Sequence, residues 1–317
     1  MQIKQEKLLK TEVCPLTNKM LVERMEKEIV PQVGNTPVCQ VQIAPERAVW
    51  LKFESENPSG SIKVRPAAHM LHQALLTGDY KSGMIVAEST SGNTGIGVAW
   101  VCQQLDIEYH NYSPKSLSEQ KRQMLTNYGA KLFFADGGTD EATKALEKTL
   151  ANEPDKYYWP SQFTNENNWR SHLKFTAPEL LAQIPNVQEI WCGFGSGGTS
   201  TGFAHALSDT NVALRVVQNT CDRSKRVEGM RNLAWISKPP IADLDAIGKE
   251  NLFDADPDTL LPLAQYIYQA NAGFVVGPTT AAILTKAVES VAETIAIVAP
   301  DNGVRYPKWV VQVTGRA

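Results

Sequence analysis

Lys63 lies in NPSGSIKVRPA (57–67), between a Pro-Ser-Gly-Ser turn and the apolar helical run PAAHMLHQALL. A lysine at such a helix start is withdrawn from water and faces the positive end of the helix dipole, and both effects disfavour the ammonium form. An amine kept neutral in this way is suited to Schiff-base chemistry with a carbonyl compound. Two later stretches, ESTSGNTGIG (88–97) and GFGSGGTSTG (193–202), set glycines and small hydroxyl residues between a strand-like and a helix-like segment. Backbone N–H groups at a helix start, left accessible by glycine, form a cradle for an anion. Neither stretch is a P-loop, because no Gly-Lys-Ser/Thr follows. GFGSGG has dinucleotide-loop spacing but stands in mid-chain, and the next acidic residue, Asp209, comes too early to hold a ribose.

The elements around these residues alternate. Strand-like AVWLKFE (48–54) leads into the Lys63 loop, and MIVAE, IEYHNY and AKLFFA follow as short strands between the helical runs GVAWVCQQL, LSEQKRQMLTNY and TDEATKALEKTLA. A second series has EIWCGF, ALRVVQ, GFVV and TIAIVAP as strands, with helices over WRSHLKFTAPELLAQI, TLLPLAQYIYQA and TAAILTKAVESVAE. Such alternation predicts parallel sheets covered on both faces, here as two α/β units that meet at PSQFTNENN (160–168) and at ENPSGS. Ahead of them, residues 17–30 place Met20, Leu21, Met25, Glu28 and Ile29 at helical spacing behind a Thr17 cap, an amphipathic helix free to pack on the body or on a second subunit.

Composition excludes several classes. The 317 residues are ample for two cores, and a net charge of −3 without basic blocks argues against nucleic acid as a partner. The first residues, MQIKQEKLLKTEVC, lack the apolar run of a secretory signal, and no stretch reaches membrane-spanning length, so a cytoplasmic protein is expected. Five widely spaced cysteines (Cys14, Cys39, Cys102, Cys192, Cys221) read as reduced and mostly buried thiols. The five histidines never join cysteines or carboxylates at ligand spacing, and no metal site is expected.

Three motifs, in order and at matching spacing, resemble the fold type II pyridoxal phosphate enzymes of the cysteine synthase and cystathionine β-synthase family, from VGNTP at residue 33 to near the C-terminus. NPSGSIKVRPA is similar to that family's cofactor-lysine motif, ESTSGNTG to its substrate-carboxylate loop and GSGGTSTG to its cofactor-phosphate loop. The resemblance implies the tryptophan synthase β-like architecture. A small domain over 57–166 would carry the carboxylate loop, and a large one over 1–56 and 167–317 the phosphate loop. It further implies pyridoxal 5′-phosphate on Lys63, which would also remove the substrate's α-proton. Gly195, Ser196, Gly197, Gly198 and Thr199 would bind the phosphate and Asn93 the cofactor's 3′ oxygen. Thr279 would lie at the pyridine nitrogen, where a hydroxyl makes a weaker electron sink than a carboxylate and so suits β-elimination. The substrate's carboxylate would rest on Thr90, Ser91, Gly92, Asn93, Thr94 and Gln162.

The expected reaction is β-replacement on O-acetylserine or O-phosphoserine through an aminoacrylate, with sulfide or an amine as nucleophile. Arg231, in EGMRNLAW, stands where the resemblance would place the last glycine of a substrate-facing turn. Turned inward it would be a bidentate cation for a phosphorylated donor or a carboxylated nucleophile. Val64 and GPTTAA are further departures from the motifs. The competing readings are a serine or threonine dehydratase, which releases a keto acid, and a catalytically idle relative that binds a partner. The resemblance also implies small amino acids as ligands and a homodimer.

Overall fold

The computed structural model describes residues 16–316, so Cys14 and the segment read for a signal peptide lie outside the described residues. The strands are β1 (Val38–Ala44), β2 (Arg47–Phe53), β3 (Ile85–Ser89), β4 (Tyr109–Pro114), β5 (Lys131–Ala135), β6 (Tyr157–Tyr158), β7 (Glu189–Gly193), β8 (Ala213–Gln218), β9 (Leu252–Asp254) and β10 (Ile295–Ala299). They form a six-stranded sheet in the order β1-β2-β10-β7-β8-β9 and a four-stranded sheet in the order β5-β4-β3-β6. All pairings are parallel except the β1–β2 hairpin, which turns at Glu46.

Both sheets are covered on two faces, and the strand pleat shows how. Along β3, Val86 enters one apolar cluster while Ile85 and Ala87 enter another. Along β10, Ile295 and Ile297 point to one cluster and Ala296 and Val298 to the opposite one. Side chains alternate with period two, so an unbroken apolar strand fills two cores at once. That is why IAIVA is buried at every residue; IVAES is buried throughout as well, its Glu88 and Ser89 included.

Other expectations shift in detail. GFVV is not a strand: Val276 makes only an isolated bridge to Asn302. The last long helix stops at Ala287 rather than running to 293. β1 was not anticipated, although Gln40 and Gln42 alternate with the inward Val41 and Ile43 as in a half-buried strand. Thr17 caps the helix Asn18–Arg24 by accepting from the Met20 N–H, and Leu21, Met25 and Ile29 pack on the body against the helix Val64–Thr77; Met20 itself is exposed. Of the described cysteines, Cys102 and Cys192 are buried as expected, but Cys39 on the edge strand and Cys221 in a loop are exposed. No helix among the described residues is long and apolar enough to cross a membrane.

A buried ionic cluster ties the start of the helix Val64–Thr77 to the rest. Arg65 binds both oxygens of Glu54, Nε to Oε2 at 2.6 Å and Nη2 to Oε1 at 2.7 Å, and reaches Glu179 Oε2 at 2.9 Å. Lys52, fully enclosed, donates to Glu179 Oε1 at 2.6 Å and to the Thr36 carbonyl at 3.0 Å.

Candidate active site

Loops leaving the C-terminal ends of β3, β7 and β10 line one partly open cleft. In parallel sheets this end gathers helix starts and is where ligands lie. Lys63, Asn93, Gly195, Ser196, Gly197, Gly198, Thr199 and Thr279 all line it, although up to 216 positions separate them (63 to 279). Lys63 is the last residue before the helix Val64–Thr77, and the Ile62 N–H donates to the Pro300 carbonyl at 2.9 Å, pinning the lysine beside the end of β10. Burial drives its amine below the ordinary lysine value, against the attraction of Asp301. The direction is the one expected for a lysine buried at a helix start.

The 88–97 glycines serve packing as much as anion approach. A Cβ on Gly97 would lie 2.9 Å from the Lys63 carbonyl carbon and oxygen, so the helix Asn93–Gln104 rests directly on the lysine's own peptide. In the other loop Gly197 has φ +88, and a Cβ there would meet that of Ala242 at 2.6 Å. Side chains are thus excluded around the start of the helix Gly198–Leu207, whose first N–H groups lie on the cleft wall.

Thr90 and Thr94 are buried and Ser91, Gly92 and Asn93 half-buried. The Thr94 hydroxyl donates to Gln162 Oε1 at 2.6 Å, joining two predicted carboxylate-binding positions 68 residues apart. Glu88 supports this junction: its buried carboxylate accepts from Trp159 Nε1 at 2.9 Å, from the Ser89 N–H at 3.0 Å and from the Gln162 N–H at 3.3 Å. Burial pushes the Glu88 carboxyl up to about 7, with those bonds opposing the rise. Thr279 donates to the Glu228 carbonyl at 3.3 Å, a long bond that its hydroxyl can leave by rotating. It does not cap its helix.

Gly229 and Met230 reach the cleft wall, but Arg231 lies beyond it, with its guanidinium 4.0 Å from the centre of the Phe163 ring. Burial lowers its affinity for the proton and Asp140 raises it. Sequence reasoning left Glu88, Asp301, Arg305 and Tyr306 without roles. DNGVRY, at 301–306, falls within the stretch over which the resemblance runs, but only the folded chain brings it against Asn93 and the Lys63 turn.

A sequence model described as "Pyridoxal-phosphate dependent enzyme" matches residues 29–296. A cysteine synthase of Aquifex aeolicus is 30% identical over 301 residues, covering 89% of this chain and 91% of the relative. A cysteine synthase of Staphylococcus aureus is 28% identical over 310 residues, covering 90% and 97%. Among solved structures, a hydrogen sulfide-producing enzyme of Fusobacterium nucleatum superimposes with a TM-score of 0.78 at 26% identity, covering 88% of this chain and 99% of that one.

Proposed function

Because the chain belongs to the pyridoxal-phosphate-dependent enzyme family, with the tryptophan synthase β-like fold, we propose that it catalyses β-replacement on an O-activated L-serine. The observation that carries this reading is the meeting of Lys63, the Gly195–Thr199 loop, Asn93 and Thr279 in one cleft. The cleft fits the cofactor: a cradle with no room for Cβ atoms suits a phosphate, and a buried lysine with a weakened hold on its proton suits an aldehyde. Held there, pyridoxal phosphate supplies an electron sink that acidifies the substrate's α-carbon and allows a β-substituent to depart.

The chain's own residues do the rest. The Gly195–Thr199 amides hold the phosphate, the Thr90–Thr94 loop with Gln162 holds the substrate's carboxylate, and Lys63 Nζ takes the α-proton. In this reading the unit over 57–166 brings the carboxylate loop and the unit of 1–56 with 167–317 brings the phosphate loop. The leaving group is acetate or phosphate, and the incoming nucleophile sulfide or an amine. The names of the Aquifex and Staphylococcus relatives favour sulfide.

Purified protein is expected to be yellow, to lose that colour on borohydride reduction, and to convert O-acetylserine or O-phosphoserine to a β-substituted alanine only when a nucleophile is present. Keto acid released at the same rate without nucleophile would replace this reading with the dehydratase. A colourless protein that does not respond to added cofactor would remove it altogether.

Arg231 sharpens the substrate question. Held over Phe163, next in sequence to the Gln162 that meets Thr94, it is a cation just beyond the cleft lining at Gly229 and Met230. Arg231→Ala is expected to raise KM for O-phosphoserine about tenfold and to leave O-acetylserine nearly unchanged, as for loss of one charged hydrogen bond to a phosphate. An equal effect on both donors would assign Arg231 to packing on Phe163. A homodimer also belongs to the proposal; sedimentation as a monomer at micromolar concentration would contradict it.

A further inference from the structure

We infer that Asp301 and Arg305 are positioning residues that lock the Asn93 amide with a hydrogen-bond donor turned into the cleft, toward the ring oxygen of the bound cofactor. The inference rests on the cofactor reading above. Asn93 Nδ2 donates to Asp301 Oδ2 at 2.7 Å, and Arg305 Nη1 donates to Asn93 Oδ1 at 2.9 Å. A carboxylate only accepts and a guanidinium only donates. A reversed amide would set carbonyl oxygen against carboxylate and NH₂ against guanidinium, so both neighbours reject it. An amide nitrogen carries two hydrogens, and the second finds no partner among the described residues, while Asn93 lines the cleft together with Lys63.

Both anchors are themselves fixed. Tyr306 donates to the same Asp301 Oδ2 at 2.6 Å, and Asp301 is 4% exposed. Its Oδ1 is buried without a hydrogen-bond partner, against the backbone of Gly277, just ahead of Thr279. Arg305 also donates to the Ser59 carbonyl in the turn leading to Lys63. Gly60, at φ +72, admits the guanidinium there, since a side chain at that residue would strike it. One short segment, 301–306, thereby holds the helix start carrying Asn93 and the turn carrying Lys63 at a common spacing. A donor fixed in this way favours an oxygen that remains anionic, because reorienting the amide to accept is blocked.

The test is a double-mutant cycle read without substrate. Apo-protein of the wild type, Asn93→Ala, Asp301→Ala and the double variant is titrated with pyridoxal phosphate. Two readouts are taken: the dissociation constant, and the ratio of the long-wavelength yellow band to the near-ultraviolet band. Asp301→Ala is expected to weaken binding about tenfold to a hundredfold and to move absorbance toward the near-ultraviolet. In the Asn93→Ala background it should add no further loss, because the effect passes through the amide. Asp301→Asn, which keeps an acceptor for Asn93, should restore most of the affinity. Additive losses, or an unchanged band ratio in Asp301→Ala, would overturn the inference. If Asp301→Ala fails to fold as apo-protein, the same cycle with Arg305→Leu decides on the same criteria. Wild type that binds no cofactor would instead fail the reading on which the inference rests.

Discussion

Lys63→Ala is expected to lower turnover by about three orders of magnitude or more, the scale set by losing a positioned proton-transfer group, with loss of the covalent anchor added to it. The apo-protein should nonetheless fold as well as the wild type. The Lys63 side chain makes no capping bond to its helix, and the helix start is secured by backbone contacts instead: the Ile62 N–H on Pro300 and the Ala67 N–H on the Lys63 carbonyl at 3.2 Å. Removing a buried amine also relieves a desolvation cost that the fold otherwise bears. Activity and stability should therefore separate, by turnover assay and by thermal unfolding of apo-protein. Retention of more than about a hundredth of the activity would place the essential amine elsewhere.

The second large effect concerns stability. Arg65→Met strips the bidentate partner from Glu54, a carboxylate with no exposure, and one of the two cations from Glu179. Breaking a buried ion pair on one side costs about 3–5 kcal/mol, which urea unfolding should register as a lowered midpoint with little change in slope. The cluster also sets an acid limit. Burial alone would raise the Glu179 carboxyl, but Arg65 and Lys52 outweigh burial and hold it at about 2, below its ordinary 4.5.

A carboxylate depressed in the folded state contributes stability that is complete above the unfolded value and is lost as pH falls through the folded one. Wild-type stability should thus decline between about pH 4.5 and pH 2, and the variant, with Glu179 less depressed, should lose less over that interval. Lys52 moves the other way for a lysine, pushed down because it is enclosed. The contact itself favours both charges, raising Lys52 and lowering Glu179; the net downward shift of Lys52 comes from its burial. Glu179 bears a burial cost too, but Arg65 as a second cation lets the attractions outweigh it, whereas for Lys52 burial wins. Acid resistance in Arg65→Met equal to the wild type over the full interval would show that the cluster does not set the limit.

Much of this architecture is written locally. A fully apolar pentad such as IAIVA can only be an interior strand of a covered sheet, and glycine-rich joins after buried strands mark the working end of the sheet. What local pattern misses depends on partners distant in sequence. GFVV carries strand-like residues but finds no ladder. In the cleft, Lys63 and both loops announce themselves by residue type, whereas Asp301 and Arg305 are an ordinary acid and base until the fold closes a separation of about two hundred residues to Asn93. Arg231 is the reverse case: conspicuous in sequence, yet stacked on Phe163 outside the innermost wall.

The contact between Gly97 and the Lys63 peptide has a mechanical meaning. With no side chain interposed, the rod that begins at Asn93 bears on the reactive residue's own main chain as a lever bears on its fulcrum. If a substrate binds as proposed, any swing of that rod would be transmitted to the Lys63 main chain, with no soft spacer to absorb it. On the proposed reading, the 90–94 loop and the Lys63 main chain would be geared together by the one residue type that leaves no cushion between them.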